Sequence, residues 1–348
     1  MTTPVISTQL AQDLAQVGES WTQKNRAAFA IARLPIAKCR DYRAGIKSTT
    51  YHLPALDNAM LDAEGLSDWE AGDAPPTARK LGEVPKTIYC VGKSSKLISR
   101  PMNRTGKHIY ADLEGNIVNV ALTELYQGLD RAVYTAMTNT SIWGSAKAWT
   151  NGGSALEVKS DHSNQSPIKD IETQIRALRP FKMGAVGSLE CHLDANVADV
   201  LASHLDYVGA GIGSATPGRL AREAFIEKFR ALHGFDAVYV YDNSYNSAMS
   251  GQSVALKSTM NGLFFIGIFD RRRAEFDLTY EGSPDQPDGA LCVGLGREPE
   301  VVSWQDQGAE CEYFVGRTAF EVFSPRGSSF GCFFQAAGGA GGIFTSLP

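Results

Sequence analysis

Two runs decide the reading: SPIKDIETQIRAL (residues 166–178) and SATPGRLAREAFIEKFRALHGFDAVYVYDNSYNSA (residues 214–248). Ser166-Pro167 opens a helix with apolar residues at Ile168, Ile171, Ile175 and Leu178. Thr216-Pro217 opens another, which carries Leu220, Ala224, Phe225, Phe229 and Leu232 and stops at Gly234. Between them Asp194 opens a helix with Val197, Val200, Leu201, Leu205 and Val208. Each start has a hydroxyl or carboxylate at the cap, and two place Pro where no backbone donor is lost. Ala237–Tyr241 alternates as a strand, and Asp242–Asn246 reads as a turn. These elements are well punctuated, yet carry no nucleophile with a base, no ligand cluster and no phosphate loop. Such a combination points to a building block.

Working outward, Asp112–Thr138 reads as one long helix, with Val118, Leu122, Leu125, Leu129, Ala132 and Ala136 at steps of three and four. Gly115 and Gly128 weaken it locally. Leu263–Phe269 reads as a buried strand, and Tyr313–Phe323 and Phe330–Phe334 as two more, joined through Ser324–Gly327. Pro75-Pro76 and the alternation of Lys86–Val91 suit an extended two-stranded excursion. Charge is blocked along the first third. Lys24, Arg26, Arg33, Lys38, Arg40, Arg43 and Lys47 form a basic block. Asp57, Asp62, Glu64, Asp68, Glu70 and Asp73 follow as an acidic one, and Arg79, Lys80, Lys86, Lys93, Lys96, Arg100, Arg104 and Lys107 as a second basic one. Solvated faces explain such blocks; so does an arm and a hairpin whose opposite charges meet across subunits.

From Ser166 to Ala248 the chain resembles the capsomer-tip region of tailed-phage major capsid proteins with the Hong Kong 97-type shell fold. The matching positions are Thr216, Pro217, Leu220, Val238, Tyr239, Val240, Tyr245, Asn246 and Ala248; the order and spacing of elements carry the match. A looser resemblance extends from Ala111 to Gln335. It implies an α+β fold with residues 1–48 as an N-terminal arm and 49–108 as an extended loop lapping the next subunit. Residues 109–181 would form a peripheral domain with a spine helix, 182–311 an axial domain, and 312–348 the return strands and C-terminal tail. It also implies a structural protein of the virion, assembled in host cytoplasm. Hexamers and pentamers would close an icosahedral shell around double-stranded DNA, held without sequence specificity. Expected partners are further copies of the chain, a portal protein and either a separate scaffolding protein or none; the presence of a cement protein is left open. Contact candidates are Asp57, Asp62, Glu64, Asp68, Glu70, Lys80, Lys86, Lys93, Tyr245 and Asn246. The stretch before the spine helix is needed for arm and loop, so no cleaved scaffolding segment is expected. The Gly-rich tail Ala336–Gly342 is expected to be fixed by a neighbour. No motif carries over the lysine–asparagine crosslink of some members. An encapsulin-type compartment around a cargo enzyme is the alternative within the fold.

Bulk properties agree with these readings. The 348 residues are 43% hydrophobic, enough for one large or two medium cores. A net charge of −5 disfavours nucleic-acid binding by the whole surface. The six cysteines form no C-x-x-C pair and read as reduced, buried thiols. No apolar run reaches the ~20 residues of a membrane span, and the first residues lack a signal-peptide pattern. Cofactor and metal sites are not expected. Gly209-Ala210-Gly211-Ile212-Gly213 follows a helix rather than a strand, which disfavours a dinucleotide loop and an oxidoreductase; it reads as a flexible link. Gly327-Ser328-Ser329-Phe330-Gly331 lacks the following helix and downstream His of a nucleophile elbow. Gly92-Lys93-Ser94 lacks the first glycine of a phosphate loop. Cys191-His192 and His204 read as packing residues, and Arg271-Arg272-Arg273 as a turn with local ion pairs.

Overall fold

The computed structural model describes residues 16, 18–20, 22–54, 83–101, 113–150, 165–182, 187–213, 219–246, 253, 256–279, 286–306 and 311–334. In chain order, β1 (Ile36–Cys39) precedes a ribbon of β2 (Ser48–Pro54) and β3 (Glu83–Tyr89). Short strands β4 (Val91–Ser94) and β5 (Ile98–Pro101) lead to α1 (Leu113–Met137), α2 (Thr140–Trp143) and α3 (Pro167–Leu178). Then come β6 (Gly187–Asp194), α4 (Ala195–Ser203), α5 (Leu205–Gly209), α6 (Arg219–His233) and β7 (Ala237–Tyr241). The chain continues through β8 (Ser244–Asn246), β9 (Leu256–Ser258), β10 (Phe264–Asp270) and β11 (Glu275–Leu278). It finishes with β12 (Cys292–Asp306), β13 (Cys311–Phe323) and β14 (Gly331–Phe333).

These strands build two main sheets. The larger runs β11-β1-β12-β13-β4, with β5 also on β13. Here β1 lies parallel to both β11 and β12, while β12 and β13 form a long antiparallel pair. α1 packs on this sheet. Its 25 residues span about 37 Å at 1.5 Å per residue. Ile117, Val118, Ala121, Leu122, Leu125, Leu129 and Val133 are buried, as the three-and-four spacing requires. Helix and sheet approach so closely at Gly316 that an added Cβ would lie 2.8 Å from Leu125 Cδ1.

The smaller sheet runs β14-β10-β6-β7. Every residue of β10 is buried, and its neighbours β6 and β14 are antiparallel to it. β6 and β7 are parallel, so the chain between them must cross over, and α4, α5 and α6 make that crossing. Trp143 donates its indole N–H to Ala136 O at 2.6 Å, and Trp149 stacks on Phe334 at 4.4 Å between centroids. One apolar core runs through both sheets, and a smaller cluster lies at the base of the β2–β3 ribbon.

Several expectations need correction. β14 pairs with β10, not with the sheet beside α1, while β11 and β12 join that larger sheet. A boundary between residues 311 and 312 therefore divides the β12–β13 pair, because the chain changes sheet after Asp270 and again after Phe323. Residues 91–101, placed in the extended loop, return to the large sheet as β4 and β5. The helix opened by Asp194 breaks in two. Ser203 Oγ donates back to Asp199 O and Val200 O, His204 turns extended, and its Nδ1 accepts the Asp206 N–H. Gly209–Gly213 is a tight turn rather than a flexible link. Tyr207 O accepts from Ile212 N and Gly213 N, and a Cβ on Gly213 would lie 2.2 Å from Ala202 O. Ser244–Asn246, read as a turn, is a strand paired with β9.

Candidate assembly surfaces

The β2–β3 ribbon is built from alternation. Thr49, Tyr51 and Leu53 point inward and are buried; Thr50 and His52 point out. In register, Ser48 faces Tyr89 and Pro54 faces Glu83. On β3 only Ile88 is buried, and Val84 and Tyr89 are 40% and 54% exposed. The base is anchored: Tyr51 meets Phe323 edge-on at 6.3 Å, and the Tyr89 N–H donates to the Glu321 carboxylate. Burial raises the Glu321 pKa above the usual carboxylate range. Beyond the base, β4 is exposed at every residue and forms an edge of the large sheet. Val91 and Leu97 add apolar surface there, at 44% and 53% exposure. An exposed edge next to apolar side chains is a template for pairing with another chain.

Of the candidate contact residues, Lys86 sits on β3 opposite Tyr51, and Lys93 on β4 opposite Thr318. Tyr245 and Asn246 share strand β8, opposite Lys257 and Leu256. The structure thus divides these four between two ribbons and a sheet edge. Asp57, Asp62, Glu64, Asp68, Glu70 and Lys80 lie outside the described residues, as do Thr216, Pro217, Ala248 and the Gly-rich tail.

The first basic block is answered partly within the chain. Lys38 Nζ lies 2.7 Å from Glu275 and 3.3 Å from Glu298, and the hydrogen bond to Glu275 raises its pKa. Arg40 pairs with both oxygens of Asp277, at 2.9 and 2.6 Å. Arg33 donates to Val240 O at 2.6 Å and lies over the Tyr241 ring. These partners come from β7, β11 and β12, more than 200 positions away, so no local pattern announces them.

Buried polar groups tie residues 26–33 to the rest. Asp130 on α1 accepts the Ala30 N–H at 2.8 Å and an Asn243 amide N–H at 3.1 Å, while Asn243 also donates to Ala28 O. Burial pushes the Asp130 pKa up to about 6, against the pull of those bonds. Arg271 grips both Glu190 oxygens at 2.6 Å and donates to Arg33 O. Burial works to raise the Glu190 pKa, yet the Arg271 hydrogen bonds, with the His192 ring 3.6 Å away, hold it low. His192 Nδ1 bonds the Tyr241 hydroxyl at 2.7 Å, and burial lowers the pKa of its ring. His192 and Arg271 stand out in the sequence, but their distant partners do not, nor does Asp130, a lone acid on an apolar stripe. The chemistry of these groups is to hold segments together. Among the described residues no group of His, Cys, Asp or Glu is arranged to hold a metal ion. No described helix is long and apolar enough to cross a membrane.

No family model and no curated protein matches the chain. Solved structures do. A phage-related protein from Bordetella bronchiseptica RB50 is 13% identical, with the match covering 96% of this chain and 98% of that one, at a TM-score of 0.57. A chain of the bacteriophage PhiM1 mature capsid is 10% identical, with 90% and 86% covered, at a TM-score of 0.50. At such identities the likeness is one of fold. The order of long helix, two sheets and paired ribbon seen in this chain is thus the α+β, Hong Kong 97-type fold of tailed-phage capsid proteins.

Proposed function

We propose that the chain is the major capsid protein of a tailed DNA phage, a structural rather than catalytic molecule. Copies form hexamers and pentamers that close an icosahedral shell around double-stranded DNA in the virion, after assembly in host cytoplasm. The observation that carries this reading, beside the fold, is the uncovered β3 face of the ribbon. A two-stranded ribbon is marginal by itself in water, and a neighbouring copy would supply the missing cover. The residues before Phe29 act as an arm, whereas 29–39 are built into the core and the large sheet, and 49–90 with the acidic block act as the loop that laps the neighbour. The β8–β9 ribbon, with Tyr245 and Asn246, lies towards the capsomer axis. A portal protein and a separate scaffolding protein are the further partners in this reading.

Changing Asp62, Glu64, Asp68 and Glu70 together to neutral residues tests the loop's role. Exposed pairs are worth only ~0–1 kcal/mol each, but a shell repeats them many times. Assembly yield and salt tolerance should fall while the monomer stays folded; unchanged assembly would remove this role. Particle contents separate the phage shell from an encapsulin-type compartment. Nuclease-resistant DNA after co-expression with packaging components supports the former, and a retained cargo enzyme the latter.

A further inference from the structure

A cleft of about 350 Å³ opens between the C-terminal end of α3 and strand β14. Its apolar walls include Trp143, Leu178 and Phe181. Phe181 is half-buried and tilts against Phe330 at 5.9 Å, and Trp143 stands edge-on to Phe265 at 5.0 Å, so both rings are held from behind. Polar groups at the cleft are those of Lys147, Gln174 and Ser329, and no acid is among the described residues that line it. Each of these polar side chains can donate a hydrogen bond. Apolar walls with donors around them suit an uncharged peptide, whose side chains fill the cleft while its carbonyls accept from the donors.

The chain itself supplies such a peptide. β14 forms one wall through Gly331 and Cys332, and its exit is fixed: the Lys147 N–H donates to Phe333 O at 2.8 Å, and Phe334 bridges to Lys147 in parallel. Residues 335–348, QAAGGAGGIFTSLP, follow outside the described residues and contain no charged side chain. We propose that residues 343–348 seat in the cleft of their own chain, with Phe344 against Trp143 and Phe181 and the backbone carbonyls on Lys147, Gln174 and Ser329. The eight residues 335–342 are the tether. Fully extended they span at most ~29 Å, and a Gly-rich stretch of that length averages ~16 Å end to end. The tether starts beside Lys147, which itself lines the cleft, so reach is not limiting. A short flexible tether also holds its end at an effective concentration of order mM, above that of a free copy in a micromolar solution. A neighbour is the expected holder of the Gly-rich run, but its own cleft is the nearer seat. This inference concerns one chain and does not depend on the shell reading.

The test uses the full chain with Phe344 replaced by the photoreactive p-benzoylphenylalanine, made once with natural nitrogen and once with heavy nitrogen. The two preparations are mixed and illuminated, and crosslinked peptides are mapped by mass spectrometry. The expected result is same-isotope crosslinks from position 344 to residues 143–147, 174–181 or 328–332. Ala177→Trp, at an exposed position lining the cleft, should abolish most of them while the chain stays folded. A second measurement compares hydrogen exchange in the unsubstituted chain and in the Ile343→Ser, Phe344→Ser variant. Exchange should become faster at 174–181 and 328–332 and stay unchanged in β10; this change supports the inference even where the photoreactive ring fits poorly. Mixed-isotope crosslinks into the cleft assign the seat to a neighbouring copy and overturn it. Crosslinks only outside the cleft, or none together with unchanged exchange, overturn it as well.

Discussion

β10 and β3 are both seven-residue strands in antiparallel pairs, and they differ completely in what covers them. β10 is buried at every position, between strands on both sides and helices above. β3 buries one residue, Ile88, and presents Val84 and Tyr89 to solvent. The first strand is held by its own chain, and mutations there should be read in folding. The second is fastened only at its base, and mutations along it should be read in association.

The largest contrast is expected from Phe265→Ala against Tyr89→Ala. Phe265 is fully buried between Trp143, His192 and Phe269, and its truncation should cost ~3–5 kcal/mol in denaturant unfolding. Tyr89→Ala, combined with Val84→Ser, should cost less than ~0.5 kcal/mol in the monomer yet reduce assembly. Equal losses of stability would erase the distinction.

Next in size is the buried polar joint. Asp130→Ala leaves the Ala30 and Asn243 donors without their acceptor and should cost ~1–3 kcal/mol in urea unfolding. Its pH signature has a definite sign. The folded pKa of about 6 lies above the unfolded carboxyl value, so the folded state keeps a proton that the unfolded chain has lost. Stability from this group is full below the unfolded pKa, near 4, and is lost as pH rises to about 6. Asp130→Asn should remove that decline in urea midpoints taken across the window.

His233 should show the opposite slope. Burial lowers its pKa to about 4, and its Nε2 lies 3.0 Å from the Tyr207 hydroxyl. Its contribution is present above the unfolded value of ~6.5 and fades as pH falls towards 4. His233→Gln should flatten this limb in the same titration.

The smallest effect is expected at Lys38, whose ion pairs with Glu275 and Glu298 are partly exposed. Lys38→Met should change unfolding by no more than ~1 kcal/mol. A larger loss would mean that the basic block is held mainly inside the subunit.

What the sequence made legible follows the same division. α1, α3 and β10 were readable because Pro placement and apolar spacing are local, although Ser166 heads α3 without the side-chain capping bond its hydroxyl suggested. The break at His204 was not, because Leu205 and Val208 continue the helical spacing of α4 while Ser203 and His204 take over its backbone bonds. β12 was missed because Gly, Arg and Glu interrupt its pattern around two irregularities, from Leu295 to Arg297 and from Arg297 to Glu300. The placement of β1 between β11 and β12 depends on partners more than 200 positions away. At the assembly surfaces, the ribbon was foreseeable from the alternation of residues 86–91. The in-chain partners of Lys38 and Arg40 were not.

The most direct test of a chain finished only by its neighbours is particle mass. The purified full chain, alone and with a scaffolding protein, should be imaged by electron microscopy and weighed in solution across a range of salt. Closed particles of megadalton mass are the predicted result. A species that stays at the 37.6 kDa of one chain under all these conditions would contradict it.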